Sequence, residues 1–308
     1  MIQITRILVP IDFSEASKKA LVYGFILAAR FKAELVAAHI VPESSALAYA
    51  FPVEAAFIEQ EQFAEATKEL KTLLSQGPGS TMETEAITKI GHIDNELLSI
   101  VKNHSIDLVV MGTHGRRHPV RWFMGSVTER MLRKVPVPVV TVSRIDDGRH
   151  LVNPRLAGLR HILYAADSPE PGPALDYAME FAGRFGAKLT VLHVVEPLDS
   201  LHAAGAILSS VMADRVTEVH RRFEEFLSRV NLRGLQIETM IRTGKAYSEI
   251  VNLAEDLNVD LIVLNMHRKG VVERASLGST AERVVRISGV PVLSIPAHGS
   301  PDAHQAAG

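Results

Sequence analysis

The stretch MGTHGRRHPVRWFMGSVTE, residues 111–129, places three glycines and a serine at a spacing that suits phosphate binding. Two residues separate Gly112 from Gly115, nine more precede Gly125, and Ser126 follows at once. The stretch comes directly after the apolar run IDLVVM, which is typical of a buried strand. Glycines at a strand end let a ligand approach the backbone and let the chain turn at positive φ. The spacing therefore predicts a loop that cradles phosphate.

The residues that follow Gly125 predict the second half of this site. Ser126 and Val127 begin the helix-like run SVTERMLRKV, whose first-turn N–H groups and dipole attract an anion. Ser126 has two alternative roles, as the cap of this helix or as a hydroxyl donor to a phosphate. The loop between the glycines also carries four cations: Arg116, Arg117, His118 and Arg121. These lie within reach of a polyphosphate, although an exposed arginine is by default a solvated loop charge.

The same residues exclude better-known phosphate loops and a catalytic centre. No lysine precedes Ser126, as a GxxxxGK[ST] loop requires, and the glycines follow the fourth strand-like segment rather than the first, unlike GxGxxG. Neither a carboxylate pair nor a Ser-His-Asp set accompanies the loop, so any hydrolysis of a bound phosphate compound is expected to be slow and incidental. The chain has no cysteine, and its histidines form no metal-ligand pattern, so we expect no metal site.

Composition limits the class of protein. The 308 residues are 47% hydrophobic and 22% charged with a net charge of −2, which fits two globular domains of about 150 residues each. Without a basic excess, nucleic acid is not an expected partner. No apolar run reaches the ~20 residues of a membrane helix, and the N-terminus is unlike a signal peptide. Together with the absence of cysteine, this favours a cytoplasmic protein.

The two halves of the chain repeat each other. ILVPID at 7–12 recurs as ILYAAD at 162–167, and GSVTER from Gly125 recurs as GSTAER from Gly278. The repeat predicts two homologous domains with a linker and a flexible tail. The predicted boundaries are 1–144 for the first domain, 145–159 for the linker, 160–296 for the second domain and 297–308 for the tail.

Each half alternates short apolar strands with helix-like segments. This order predicts a doubly wound α/β domain with a five-stranded parallel sheet covered on both faces. In the first half, Ser14 is predicted to cap the first helix, and a second, amphipathic helix is predicted over 58–76. The connection from residue 44 and its counterpart from residue 201 are unusually apolar. They predict either helix core and inter-domain packing or a groove for a lipophilic ligand.

Asp12 ends the first strand and Val41 ends the second. Ligands of such sheets lie at the carboxyl ends of the strands, where the winding reverses. If the first strand neighbours the fourth, Asp12 faces the same crevice as Gly112 and can accept from an adenine amine or a ribose hydroxyl. Asp12 could also simply cap the first helix, a role that is compatible with ligand binding. The chemistry implied is binding of a nucleoside phosphate.

These motifs resemble those of the universal stress protein family, in a form with two tandem domains. The family's nucleotide signature is glycine, two residues, glycine, nine residues, glycine, then serine or threonine, and residues 112–126 match it in full. Asp12, the HIV run at 39–41, and Pro138 with Val139 before the fifth strand match as well. The resemblance extends from about Ile4 to Ile295.

The resemblance implies a Rossmann-like fold with strand order 3-2-1-4-5 in each domain and pairing of the fifth strands into an internal pseudo-dimer. It also implies a stress-response protein that holds ATP, with or without Mg²⁺, in its N-terminal domain as a structural or regulatory ligand. A homodimer is a further possible assembly. The implied site residues are Pro10, Asp12, Val41, Met111, Gly112, His114, Gly115, Arg116, Gly125, Ser126 and Val127.

The second half departs from this signature. Asn265 replaces Gly112 and Arg268 replaces Gly115, whereas Gly278, Ser279 and Asp167 are kept. Side chains at the first two positions obstruct the approach of backbone to phosphate. We therefore expect the second domain to bind ATP weakly or not at all.

Two other functions remain open at this point. One is a binding module for an apolar small molecule or a protein partner, with a vestigial nucleotide site. The other, less favoured, is a slow nucleotide hydrolase that uses the arginines of the loop. His114 recurs as His267 although the neighbouring glycines do not, so it fits a structural hydrogen bond as well as a ligand contact.

Overall fold

The structure is a computed structural model of the 308-residue chain. It describes residues 2–43, 50–76, 82–113, 124–143, 158–168, 172–196, 214, 216–225, 228, 234–266 and 279–296. The chain divides into two compact units, with the boundary between Ala157 and Gly158. Within the described residues, no helix is both long and apolar enough to cross a bilayer.

The first unit alternates strands and helices as predicted. In chain order its elements are β1 (Arg6–Pro10), α1 (Glu15–Phe31), β2 (Glu34–Pro42), α2 (Pro52–Gln76), β3 (Thr84–Gly91), α3 (Ile93–Asn103), β4 (Leu108–Gly112), α4 (Ser126–Lys134) and β5 (Val139–Val142). The strands pair in parallel in the order β3-β2-β1-β4-β5. The predicted doubly wound sheet and its strand order are thereby confirmed for this unit.

The second unit repeats this plan. Its elements are β6 (His161–Ala166), α5 (Pro173–Phe185), β7 (Lys188–Val195), α6 (helical residues 216–225), β8 (Ile237–Thr243), α7 (Ala246–Asp256), β9 (Leu261–Met266), α8 (Ser279–Ile287) and β10 (Val292–Pro296). The parallel order is β8-β7-β6-β9-β10, which matches that of the first unit. The limits of the linker and tail, and the pairing of fifth strands between domains, stay predictions.

The two central strands of the first unit form its core. Ile7 and Leu8 of β1 and Leu108 and Val109 of β4 are fully buried. Strands that are buried on both faces have no polar face to alternate with, which is why their sequences read as continuous apolar runs. Helix α1 packs against both strands and so brings its own N-terminus to their carboxyl ends.

Helix α1 begins where the sequence predicts. The hydroxyl of Ser14 accepts a hydrogen bond from the N–H of Ser17 at 3.2 Å, which confirms Ser14 as the N-cap. The helix ends at Phe31, and its C-cap, Lys32, adopts the left-handed conformation with φ 57°. The equivalent end of α5 in the second unit has a glycine, Gly186, with φ 68°.

The predicted start of α2 is wrong. The helix begins at Pro52, six residues before the predicted first residue, Ile58. Proline suits a first helical position, because its fixed φ is helical and its missing N–H needs no partner there. Phe51, Val53 and Phe57 are 57%, 77% and 71% exposed, so these apolar side chains are not helix core. The preceding residues 44–49 and the counterpart at 201–213 lie outside the described residues.

Candidate functional site

The carboxyl ends of β1 and β4 form a crevice in the first unit. The two strands are neighbours, with Ile7 opposite Leu108 and Leu8 opposite Val109. The order β3-β2-β1-β4-β5 changes direction between β1 and β4, which is the place where doubly wound sheets hold ligands. Because β1 neighbours β4, as the sequence argument required, Asp12 and Gly112 lie at the same crevice.

Asp12 lies half-buried in the turn that leads into α1. Its carboxylate accepts the N–H of Ser14 at 3.0 Å, and its own N–H donates to the hydroxyl of Ser17 at 3.3 Å. Because Ser14 is the N-cap, the alternative in which Asp12 caps the helix is wrong. The turn fixes the carboxylate at the mouth of the crevice, and its role towards an adenine or ribose group stays a prediction.

A histidine on β2 fixes the backbone next to Asp12. His39 Nδ1 lies 2.7 Å from the carbonyl oxygen of Ile11, so Nδ1 donates and a neutral ring keeps Nε2 as an acceptor. Phe13 has a positive φ of 63°, and its ring centroid lies 4.7 Å from that of His39. In the second unit, His193 makes the same contact with the carbonyl of Ala166 at 2.9 Å. Sequence reasoning missed this contact, although the repeated HIV and HVV runs signalled it.

Strand β2 extends past the end of β1 and exposes a backbone edge to the crevice. The β1–β2 pairing ends with Pro10 opposite Ala38, whereas β2 and β3 pair as far as Pro42 and Gly91. The edge of residues 39–42 that faces β1 therefore continues beyond that strand. Val41 lies in this segment with its side chain buried, so its contribution to a ligand is limited to main-chain groups.

Gly112 is required by the packing of α1. A Cβ at this position would lie 2.8 Å from both the carbonyl carbon and the Cβ of Ala16 and 3.0 Å from its oxygen. The glycine thus lets the start of α1 approach the end of β4. Sequence reasoning assigned its missing side chain to ligand approach alone. Met111, its neighbour, is buried in β4 opposite Thr141, so it offers a ligand only main-chain groups.

Hydrogen bonds bring the first and third glycines of the motif to one place. The N–H of Gly125 donates to the carbonyl of Thr113 at 2.7 Å, and the N–H of Thr113 donates to the carbonyl of Val142 at 3.0 Å. The hydroxyl of Thr128 donates to the carbonyl of Gly112 at 2.9 Å. The N-terminus of α4 is therefore fixed against the carboxyl end of β4.

The start of α4 presents main-chain donors at the crevice. Gly125 is the N-cap and supplies no side-chain acceptor, while Ser126 is the first helical residue, so the alternative in which Ser126 caps the helix is wrong. Because the N–H of Gly125 is taken by Thr113, the amides suited to an anion are those of Ser126, Val127 and Thr128. The side chain of Ser126 is exposed, and that of Val127 is half-buried.

Several predicted site residues lie outside the described residues. These are His114, Gly115 and Arg116, together with Arg117, His118 and Arg121 of the same loop. In the second half, His267, Arg268 and Gly278 lie outside them as well. The roles assigned to these residues stay predictions.

The second unit has a different group at the matching crevice. The side-chain amide of Asn265 donates to the carboxylate of Asp167 at 3.3 Å. Asn265 stands at the Gly112 position and Asp167 at the Asp12 position, so the amide links the ends of β9 and β6. Within the described parts of both units, no group of three histidine, aspartate or glutamate side chains is arranged to hold a metal ion.

Comparison with known proteins identifies the family. The model of the universal stress protein family matches residues 3–143 and again 158–296. The chain belongs to the universal stress protein family. A universal stress protein of Mycolicibacterium smegmatis is 25% identical over 303 residues, which are 94% of this chain and 96% of that protein. The tandem arrangement therefore has a relative of matching length.

Two further proteins are similar to this chain, one over a single domain and one in its fold. A universal stress protein of Methanocaldococcus jannaschii is 29% identical over 144 residues, which cover 45% of this chain and 82% of that protein. The crystal structure of a universal stress protein from Archaeoglobus fulgidus is 21% identical, with a TM-score of 0.63. The match covers 97% of this chain and 100% of that one, and it supports the fold alone.

Proposed function

We propose that this universal stress protein binds ATP in the crevice of its first unit, as a structural or regulatory ligand in a cytoplasmic stress response. The observation that carries the proposal is the bond between Gly125 and Thr113, which sets the first-turn amides of α4 beside the end of β4. Helix N-termini at such a position bind phosphate through free N–H groups and the helix dipole.

The remaining groups of the crevice suit the nucleoside part of ATP. Asp12 supplies a carboxylate that accepts from an amine or hydroxyl, and the main chain around Val41 supplies donors and acceptors for the edge of a base. Any Mg²⁺ is expected to enter on the triphosphate, since the described residues contain no carboxylate cluster for it. The half-buried position of Asp12 strengthens its hydrogen bonds relative to those in water.

ATP acts in this proposal as a ligand rather than as a substrate. A fast hydrolase needs a base or a positioned water beside the γ-phosphate and a cation that stabilises the transferring group. In the described part of the crevice, the carboxylate of Asp12 accepts the N–H of Ser14. It lies at the end where the nucleoside is expected, so it is not placed to serve as a base beside the γ-phosphate. Hydrolysis is therefore expected to be slow and incidental.

Exposed apolar side chains favour a second candidate function, the binding of an apolar molecule or a protein partner. Phe51, Val53 and Phe57 lie together at the start of α2, and all are more than half exposed. Contiguous exposed apolar surface marks interaction sites in many proteins. This function uses a different surface from the crevice and does not compete with the first proposal for residues.

The first test is to denature the purified chain and identify the molecules that it releases. Adenine nucleotide is the expected product, and lipid in its place would favour the second candidate. The direct test is calorimetric titration of ATP into the Gly125→Ala chain. With φ −59° and ψ 141°, Gly125 has a conformation open to alanine, so the fold is expected to hold.

The expected result for Gly125→Ala is a loss of ATP affinity of at least about tenfold, because the added methyl group intrudes where phosphate approaches the backbone. Gly183→Ala is the matched control. It lies in α5 of the second unit, where the nearest atom to the added Cβ is Leu235 Cδ2 at 4.0 Å. Wild-type ATP affinity in the Gly125→Ala chain would show that the site is misassigned.

A further inference from the structure

The second unit contains a cavity of about 700 Å³ at the carboxyl ends of β6, β7 and β9. Residues from α6 and from the first turns of α7 and α8 complete its described lining. The volume lies within the range of small-molecule sites, and the position is the one where doubly wound sheets hold ligands.

The end of β9, which corresponds to the end of β4 in the first crevice, carries a side chain that reaches into the cavity. Asn265 lines the cavity and donates its amide to Asp167, whereas the first unit has Gly112 at that position. The amide also lies 3.3 Å from where a Cβ on Gly172 would be, at the N-cap of α5. The side chain of Asn265 therefore covers the backbone at the end of β9 and restricts the approach of a bulky ligand there.

The charged side chains that line the cavity carry an excess of carboxylates. The described lining residues include three carboxylates, those of Asp167, Glu196 and Glu218, and one guanidinium, that of Arg222. Arg222 Nε donates to Glu218 at 2.9 Å, and Arg221 donates to the same carboxylate at 2.7 Å. These two hydrogen bonds lower the pKa of Glu218 to about 2, which keeps it ionised. Among these described side chains a triphosphate would meet net negative charge, which opposes its binding.

The other groups of the lining suit a ligand with a ring and neutral polar substituents. Leu192, Ile250 and Leu264 supply apolar walls, and Ser279 and Thr280 supply hydroxyls on the side of α8. Asp167 accepts hydrogen bonds from hydroxyl or amine groups. Apolar walls with a few convergent polar groups are the usual composition of small-molecule sites.

We propose that the second unit binds a phosphate-free ligand of the nucleoside type, a ring that carries hydroxyl and amine donors, and that it rejects nucleoside triphosphates. The choice of ligand class rests on the proposed function of the first unit. The second unit repeats Asp12 as Asp167 and the His39 contact as His193, and it keeps the Gly-Ser pair before the last helix as Gly278 and Ser279. The described difference is Asn265, which stands in place of Gly112.

The experiment uses the full chain with tryptophan placed in either cleft. Val127 and Thr280 occupy equivalent positions of the repeat, at the second residue of α4 and of α8. Thr280 lines the cavity and Val127 is its equivalent in the first unit, and both are half-buried, so a tryptophan at either position is expected to obstruct the cleft. Adenosine and ATP are titrated separately by calorimetry into the Val127→Trp chain, in which the first crevice is blocked, and into the Val127→Trp/Thr280→Trp chain.

The Val127→Trp chain is expected to bind one adenosine and to bind ATP at least about tenfold more weakly, and the doubly substituted chain is expected to lose the adenosine site. The proposal is overturned if adenosine gives no heat up to about 1 mM, if ATP binds as tightly as adenosine, or if Thr280→Trp leaves adenosine binding unchanged. Failure of the wild-type chain to bind ATP would instead contradict the proposed site of the first unit. The comparison of adenosine with ATP at the second unit would still be valid.

Discussion

At the scale of single residues, Gly112 has a packing role in the structure beside the ligand role that the sequence predicts. The spacing of the glycines predicts its place at the end of the fourth strand. The structure adds a reason that the sequence does not contain, the approach of Ala16 to within 2.8 Å of where a Cβ would lie. A contact between residues so far apart in sequence cannot be inferred from the spacing of one motif.

Gly112→Ala is expected to destabilise the chain by about 1–3 kcal/mol, because real Cβ atoms do not lie under 3 Å from backbone and α1 must shift. Urea denaturation followed by circular dichroism measures this. Gly183→Ala is the control with the opposite sign, since it adds a methyl group to an exposed helix position with open space around it and should stabilise by up to about 1 kcal/mol. Equal stabilities for the two variants would contradict the packing role of Gly112.

The residues of the site were predicted in part. The sequence places Gly125 and Ser126 correctly at the start of α4, whereas β1 ends at Pro10 and Asp12 lies in the turn that follows it. It also offers both Ser14, which is the N-cap, and Asp12, which is not, and it does not reveal that the N–H of Gly125 donates to Thr113. Such hydrogen bonds depend on which polar groups lie close together in three dimensions. The sequence offers several neighbouring groups that could make the same bond.

At the scale of elements, the ends of α1 and α5 differ in one residue of the repeat. Both helices end in a left-handed residue, Lys32 with φ 57° and Gly186 with φ 68°. Lysine in this conformation places its Cβ close to the backbone, whereas glycine does not. The first unit therefore carries a backbone strain that the second has avoided.

Lys32→Gly is expected to stabilise the chain by about 0.5–1 kcal/mol, the relief of strain being partly offset by the greater freedom of glycine in the unfolded state. Gly186→Lys is the matched reverse change, expected to destabilise by about 1 kcal/mol. Nothing lies within 4 Å of a Cβ at Gly186, so its effect reports on the backbone alone. Thermal unfolding of both variants gives the comparison, and shifts of the same sign would refute the argument.

The elements themselves were largely predictable because buried parallel strands give continuous apolar runs. The start of α2 was not, since Phe51, Val53 and Phe57 look like a buried connection and are exposed. Sequence reasoning also missed a hydrogen-bonding arrangement that occurs in both halves. Asp107 accepts the N–H groups of Thr5 and Arg6, and Asp260 likewise accepts two backbone N–H groups at the start of β6. Its signal was the repeated aspartate before the fourth strand of each half.

At the scale of the whole molecule, the two units share one strand order and differ in their clefts. The sequence repeat predicts the shared order, because the periodic apolar segments recur in both halves. The difference also appears in the sequence as Asn265 in place of Gly112, but its consequence needs the distance from Asn265 to Asp167. The two proposals therefore assign a different class of ligand to each of the two units.

The proposed division of binding predicts that ATP stabilises the two units unequally. A ligand at about 100 times its dissociation constant stabilises the state that binds it by about 2.7 kcal/mol, and backbone amides near the site then exchange more slowly. Hydrogen exchange followed by mass spectrometry should show slower exchange for peptides of β4 and α4 on addition of ATP, and little change in β9 and α8. The Val127→Trp chain should lose the effect. Equal protection of α4 and α8 would mean that the Asn265 side chain and the surrounding carboxylates do not exclude phosphate.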